Sequence, residues 1–142
     1  MIRMSKLTDY GFVILAWMAE QKPGAVYNAR DLSNATGIPL PTVGKLLKTL
    51  SRGEILASHR GASGGYALAR PAATIYMLDV ITALDRPIAL AECGIKGEAK
   101  CCELEDDCQI KPHWERLTFA IREALRNVTL VDLVAQNRAK VV

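Results

Sequence analysis

The chain has 142 residues, half of them apolar and 23% charged, with a net charge of +3. Such a composition supports one folded domain with its own core and excludes disordered, collagen-like and covalently stapled classes. No apolar run approaches the roughly 20 residues of a membrane-spanning helix. Met1–Tyr10 lacks a signal-peptide core, so a cytoplasmic location is expected, with thiols kept reduced. The charge is uneven. Residues 1–70 hold nine Lys/Arg and four Asp/Glu, whereas residues 71–142 hold nine and eleven. A basic half joined to a mildly acidic half suits a protein that docks one part on an anionic polymer, although ordinary solvated surfaces reach the same balance.

In chain order, Thr8 is expected to cap a first helix over 8–20, with Phe12, Leu15, Ala16 and Ala19 on its buried stripe. Gln21-Lys22-Pro23-Gly24 ends it, and Ala25-Val26-Tyr27 is extended. Asn28 caps a helix over 29–36, with Leu32 and Ala35 facing inward and Gly37 stopping it. Pro41 suits the first turn of a third helix over 41–52. Val43, Leu46, Leu47 and Leu50 form its buried face, leaving Thr42, Gly44, Lys45, Lys48, Thr49 and Arg52 outward.

Any two packed helices could show this spacing, but the next residues are more specific. Residues 55–60 and 66–69 read as strands around the turn Gly61-Ala62-Ser63-Gly64-Gly65, with Arg60 at the tip. A recognition helix followed by a hairpin is the winged helix-turn-helix arrangement. The helix enters the major groove, and the tip reaches phosphate or a minor groove. Thr42, Gly44 and Lys45 are the candidates for base edges. Lys48, Arg52, Arg60 and Ser63 are the candidates for the backbone or minor groove.

A helix over 77–85, with Thr74 as a cap, precedes Arg86-Pro87. Trp114, Leu117, Ile121, Leu125 and Val128 then form one apolar seam on a helix over 112–127, fit for its own core or for a twin. A short apolar helix over 130–134 and a frayed tail from Gln136 close the chain. The expected fold is mainly α with a small β-hairpin wing. Its parts are a winged helix-turn-helix over 1–86, a cysteine-rich loop over 87–112, and a dimerisation helix with tail over 113–142.

All four cysteines fall between Cys93 and Cys108, in a Gly/Lys/Glu-rich stretch that no core requires. Thiolates are soft ligands for zinc and iron–sulfur clusters. The Cys-x2-Cys knuckles of structural zinc are missing. A thiol switch at the adjacent Cys101 and Cys102 is the cofactor-free alternative. No paired acid/base constellation or activated nucleophile marks an enzyme.

These stretches together resemble the Rrf-two family of bacterial winged-helix regulators. The resemblance rests on Lys6-Leu7-Thr8-Asp9-Tyr10-Gly11-Phe12, on Arg60-Gly61-Ala62-Ser63-Gly64-Gly65-Tyr66, on Ile81-Thr82-Ala83-Leu84-Asp85, and on Asn127–Val134. It implies a homodimer on a pseudo-palindromic operator, with a cluster in the cysteine loop, [2Fe–2S] in preference to [4Fe–4S]. The family spacing Cys-x5-Cys-x5-Cys is kept only between Cys102 and Cys108, since eight residues separate Cys93 from Cys102. Cys93, Cys102 and Cys108 are the expected thiolates, and the fourth ligand is Asp9, His113 or Cys101. IscR-like members carry a histidine where this chain has Lys111, which cannot serve. Asp9 lies in a Thr-Asp-Tyr-Gly stretch like that of NsrR-like members, whose aspartate comes from the other subunit. The resemblance implies a repressor of iron–sulfur assembly genes, closest to regulators of a Suf operon. A nitric-oxide or redox-responsive repressor, or a cluster-free regulator with another effector, are the alternatives.

Overall fold

Ser5, rather than Thr8, opens the first helix. The computed structural model describes residues 3–94 and 102–139 and places α1 at Lys6–Glu20. The Ser5 hydroxyl accepts a hydrogen bond from the Thr8 N–H at 3.1 Å, satisfying one free donor of the first turn. Thr8 is thereby released to the interior. It is fully buried, and its hydroxyl donates to Asp85 Oδ2 at 3.1 Å. The Ser5 N–H donates to the same oxygen at 3.2 Å. Two hydroxyls three residues apart compete for one capping role, and the distant carboxylate decides between them.

Three sets of donors hold the Asp85 carboxyl below its ordinary value of 3.8. The Arg86 N–H contributes most, and Ser5 and Thr8 add to it against the opposing effect of burial. A carboxylate depressed in the folded state stabilises the fold at neutral pH and loses that contribution as pH falls through its folded pKa. Asp85→Asn is therefore expected to lower the melting temperature at pH 7. In thermal scans from pH 7 to pH 2, the gap to wild type should close below the ordinary carboxylate range.

The next helix, α2, is Ala29–Thr36. It carries a reciprocal cap, in which the Asp31 N–H donates to Asn28 Oδ1 at 2.9 Å and the Asn28 N–H to Asp31 Oδ2 at 3.1 Å. Gly37 ends it at φ 76. Leu32 is buried as expected, but Ala35 is exposed, and Leu32 is the one fully buried residue of this short helix. Helix α3 is Leu40–Arg52, with Val43, Leu46, Leu47 and Leu50 all buried. Its exit is tight. Gly53 lies against α4 (Met77–Leu84), where an added Cβ would stand 2.7 Å from Ala83 Cβ. The following residue, Glu54, takes the left-handed conformation at φ 60 that a glycine usually accepts. Ile55 then donates its N–H to the Leu50 carbonyl at 3.0 Å and stays buried.

Strands β1 (Leu56–His59) and β2 (Gly65–Leu68) pair antiparallel with Leu56 opposite Leu68. The hairpin is shorter than expected because Ile55 closes α3 instead. Tyr27 adds a third rung: it donates its N–H to the Tyr66 carbonyl at 2.9 Å and accepts from the Tyr66 N–H at 2.7 Å. Tyr76 is the N-cap of α4, and its N–H donates to Asp79 Oδ2 at 3.1 Å. Thr74, expected as the cap, turns its hydroxyl back to the Pro71 carbonyl at 2.7 Å.

Helices α5 (Lys111–Arg126) and α6 (Leu130–Ala139) complete the order. Thr129 caps α6 together with Asp132, to which its N–H donates at 2.8 Å. The helix runs to Ala139, past the expected end, so residues 136–139 are helical rather than frayed. Leu130 and Val134 are buried, and Leu130 joins the same core as Ile14, Leu32 and Leu47. A short antiparallel bridge fixes the start of α6 beside that of α4. In it the Met77 N–H donates to the Val128 carbonyl at 2.8 Å and the Leu130 N–H to the Ile75 carbonyl at 3.0 Å. On α5 only Thr118 is buried, and its hydroxyl accepts from the Leu90 N–H at 3.1 Å. Trp114, Leu117 and Phe119 remain 37%, 50% and 65% exposed.

Candidate nucleic-acid interface and cysteine segment

The buried row Val43, Leu46, Leu47 and Leu50 fixes which side of α3 faces out. Lys45, Lys48 and Arg52 are exposed on that side, with Thr42 and Gly44 half-buried beside them. A Cβ added at Gly44 would meet no atom within 4 Å. Its missing side chain therefore serves no packing need within the chain, and it leaves room for an approaching surface. Arg60 and Ser63 are exposed at the hairpin tip.

Three cations are held by carboxylates among the described residues. Arg70 reaches Asp79 at 2.7 Å, Lys111 reaches Glu105 at 2.9 Å, and Arg126 reaches Glu123 at 2.6 Å. Lys45, Lys48, Arg52 and Arg60 have no such partner among the described residues. An unneutralised basic face on a helix and an adjacent hairpin is the electrostatic footprint of a nucleic-acid surface.

The hairpin is aimed by contacts that the sequence reading missed. Trp17, on α1, meets Tyr27 edge-on with ring centroids 4.9 Å apart, and Tyr27 pairs with Tyr66 at the hairpin root. Gly64 and Gly65 read as flexible punctuation in the sequence. In the structure both permit close backbone approach. A Cβ on Gly64 would fall 2.4 Å from the His59 carbonyl oxygen, and one on Gly65 would fall 2.4 Å from that of Tyr27. A lone extended tripeptide, 25–27, was the available signal for the extra rung.

Cys93, Cys102 and Cys108 are free thiols; Cys102 is exposed and the other two are half-buried. Cys93 sits in a short 3-10 turn, Glu92–Gly94, and opens on a cleft of about 550 Å³ against Thr118, Phe119 and Arg122 of α5. Cys101 lies outside the described residues. Lys111 is tied to Glu105, and that carboxylate above all raises the lysine's pKa, which removes it further from any ligand role. His113 is exposed on α5. Asp9 is exposed in the first turn of α1, beside Arg3, Lys6 and Asp85. Among the described residues, no three His, Cys, Asp or Glu side chains converge on one point. The structure thus leaves Lys45, Lys48, Arg52, Arg60 and Ser63 exposed on α3 and the hairpin, and among the described residues it does not bring the candidate cluster ligands together.

No helix among the described residues is long and apolar enough to cross a membrane. The profile described as "Rrf2: Iron-dependent Transcriptional regulator" matches residues 4–136. The fold is similar to that of CymR, the global cysteine regulator of B. subtilis, at TM-score 0.72 and 24% identity over 96% of this chain and 98% of that one. A transcriptional regulator from Listeria innocua matches at TM-score 0.71 and 26% identity, over 94% and 86% of the two chains. T. potens IscR matches at TM-score 0.68 and 24% identity, over 96% and 88%. With a family match over nearly its whole length and a winged-helix fold shared with solved regulators, the chain belongs to the Rrf2 family of DNA-binding transcriptional regulators, which are not enzymes.

Proposed function

We propose that this regulator is a homodimeric repressor that senses iron–sulfur status and controls cluster-assembly genes, of the Suf kind. The observation that carries the reading is the set of three free thiols, Cys93, Cys102 and Cys108, on one segment between α4 and α5. Their chemistry fits an iron–sulfur cluster, because accessible soft donors are what iron and sulfide require. A [2Fe–2S] cluster is preferred to [4Fe–4S], with Asp9 from a second copy as fourth ligand ahead of His113 or Cys101. An oxygen ligand leaves one corner of such a group labile to oxidant or to iron loss. The exposed faces of Trp114 and Leu117 supply a dimer seam. Two recognition helices would then address half-sites of a pseudo-palindromic operator about one helical turn apart. Thr42, Gly44 and Lys45 face base edges, while Lys48, Arg52, Arg60 and Ser63 hold the backbone or minor groove. In this scheme residues 1–86 read DNA, 87–112 sense, and 113–142 join the copies.

The test is anaerobic purification, with visible absorption and iron and sulfide assays. Native protein is expected to be coloured, with iron and sulfide in equal amounts. Cys93→Ala, Cys102→Ala and Cys108→Ala are each expected to lose most of that colour. Asp9→Ala should keep its colour under anaerobic conditions and bleach faster in air. A colourless, iron-free native protein overturns the reading. It would favour the second one, a cluster-free regulator with a thiol, protein or small-molecule effector. Likeness to a structure described as a global cysteine regulator supports that alternative.

A further inference from the structure

One apolar side chain stands where its own chain offers it nothing. Residues 102–107 form a compact turn, with the Glu105 N–H bonded to the Cys102 carbonyl and the Asp107 N–H to the Leu104 carbonyl, each at 3.2 Å. Leu104 projects from this turn and is 71% exposed. Glu103 and Asp107 lie beside it in the turn, and Lys111 neutralises Glu105. An exposed leucine amid acids is a small anchor with a negative collar.

A cleft elsewhere on the chain has the complementary character. About 460 Å³ opens between the end of α4 and the start of α5, over Ile81, Ile88, Leu90 and Trp114. Arg3 and Arg86 form its rim, and both are exposed. The one acid in the lining, Asp85, already accepts hydrogen bonds from Ser5, Thr8 and Arg86. The floor is apolar and the free charges on the rim are positive. The turn leads into α5 of the same chain, yet Leu104 itself stays in solvent.

We propose that Leu104 of one copy seats in this cleft on a second copy, with Arg86 and Arg3 meeting the acids of the incoming turn. The proposal rests on the dimeric reading above and adds to it the contact that joins sensor to partner. Arg3 and Asp85 line both this cleft and the shallow one holding Asp9. Docking would therefore lay the cysteine segment of one copy beside the first turn of α1 on the other. Under two-fold symmetry each contact occurs twice.

The test measures the dimer dissociation constant of the full-length, reduced, metal-free protein by sedimentation. Leu104→Ser is expected to raise it by about 100-fold, since loss of a buried leucine contributes about tenfold at each of two symmetric sites. Arg86→Glu and Glu103→Arg should each weaken association about tenfold or more, and combining them should restore it to within about threefold of wild type. An unchanged constant in Leu104→Ser, or purely additive losses in the charge-reversal pair, overturns the proposal. A lower melting temperature in Leu104→Ser without weaker association means that the leucine docks within its own chain, which overturns it as well. A wild type that stays monomeric at every concentration, free and on DNA, instead overturns the dimeric reading beneath it.

Discussion

Changing Lys45, Lys48 and Arg60 together to Ala is expected to weaken duplex binding by at least about 100-fold at 0.1 M salt, with little change in melting temperature. The two halves of that expectation have one cause. These side chains are exposed and, among the described residues, hold no carboxylate, so the fold does not depend on them. Each phosphate contact removed should also flatten the plot of log affinity against log salt by about 0.9. Fluorescence anisotropy across a salt series, on a duplex that the wild type selects from a random pool, measures both. A variant with unchanged affinity and slope would place the DNA on another face.

The second large effect concerns the hairpin root. Gly65→Ala is expected to destabilise the protein by about 2–4 kcal/mol, through forced displacement of backbone and weakening of the Tyr27–Tyr66 rung. The new Cβ would lie 2.4 Å from the Tyr27 oxygen, 2.6 Å from its carbonyl carbon and 2.9 Å from the Asn28 nitrogen. None of these atoms is a side-chain tip that can swing aside. At about 3 °C per kcal/mol, the melting temperature should fall by about 6–12 °C. DNA affinity should fall too, because the same rung aims Arg60. Calorimetry and the anisotropy assay check the two consequences separately, and an unaltered melting temperature would show that the root can yield.

Where one physical pattern dominated, the sequence was legible. The apolar row of α3 had no competing reading, and Val43, Leu46, Leu47 and Leu50 are all buried. Asn28 and Gly37 bracket α2 because local caps need no distant partner. Legibility failed where a distant residue chose between local options. Thr8 was expected as the cap, but Asp85, far along the chain, takes the Thr8 hydroxyl and Ser5 caps the helix. Thr74 lost its expected role to the Tyr76–Asp79 bond. The functional side chains divide in the same way. The outward side of α3 follows from one helix's period, and Lys45, Lys48 and Arg52 are exposed on it. The fourth ligand, if it comes from a second copy, has no signature in the spacing of one chain's cysteines.

The bridge between Ile75–Met77 and Val128–Leu130 has a consequence for how the molecule comes into being. A ribosome delivers the recognition helix and hairpin first, and they wait unfinished. Leu130 and Val134 complete the hydrophobic interior that holds them, and they follow the cysteine segment in the chain. The cysteine segment is thus synthesised before the winged-helix part can close, and every finished copy carries that segment between two fixed points of the closure. A nascent chain halted before Val128 would leave bare the part of α1 on which α6 packs, a target for quality control rather than a free-standing DNA-binding fragment.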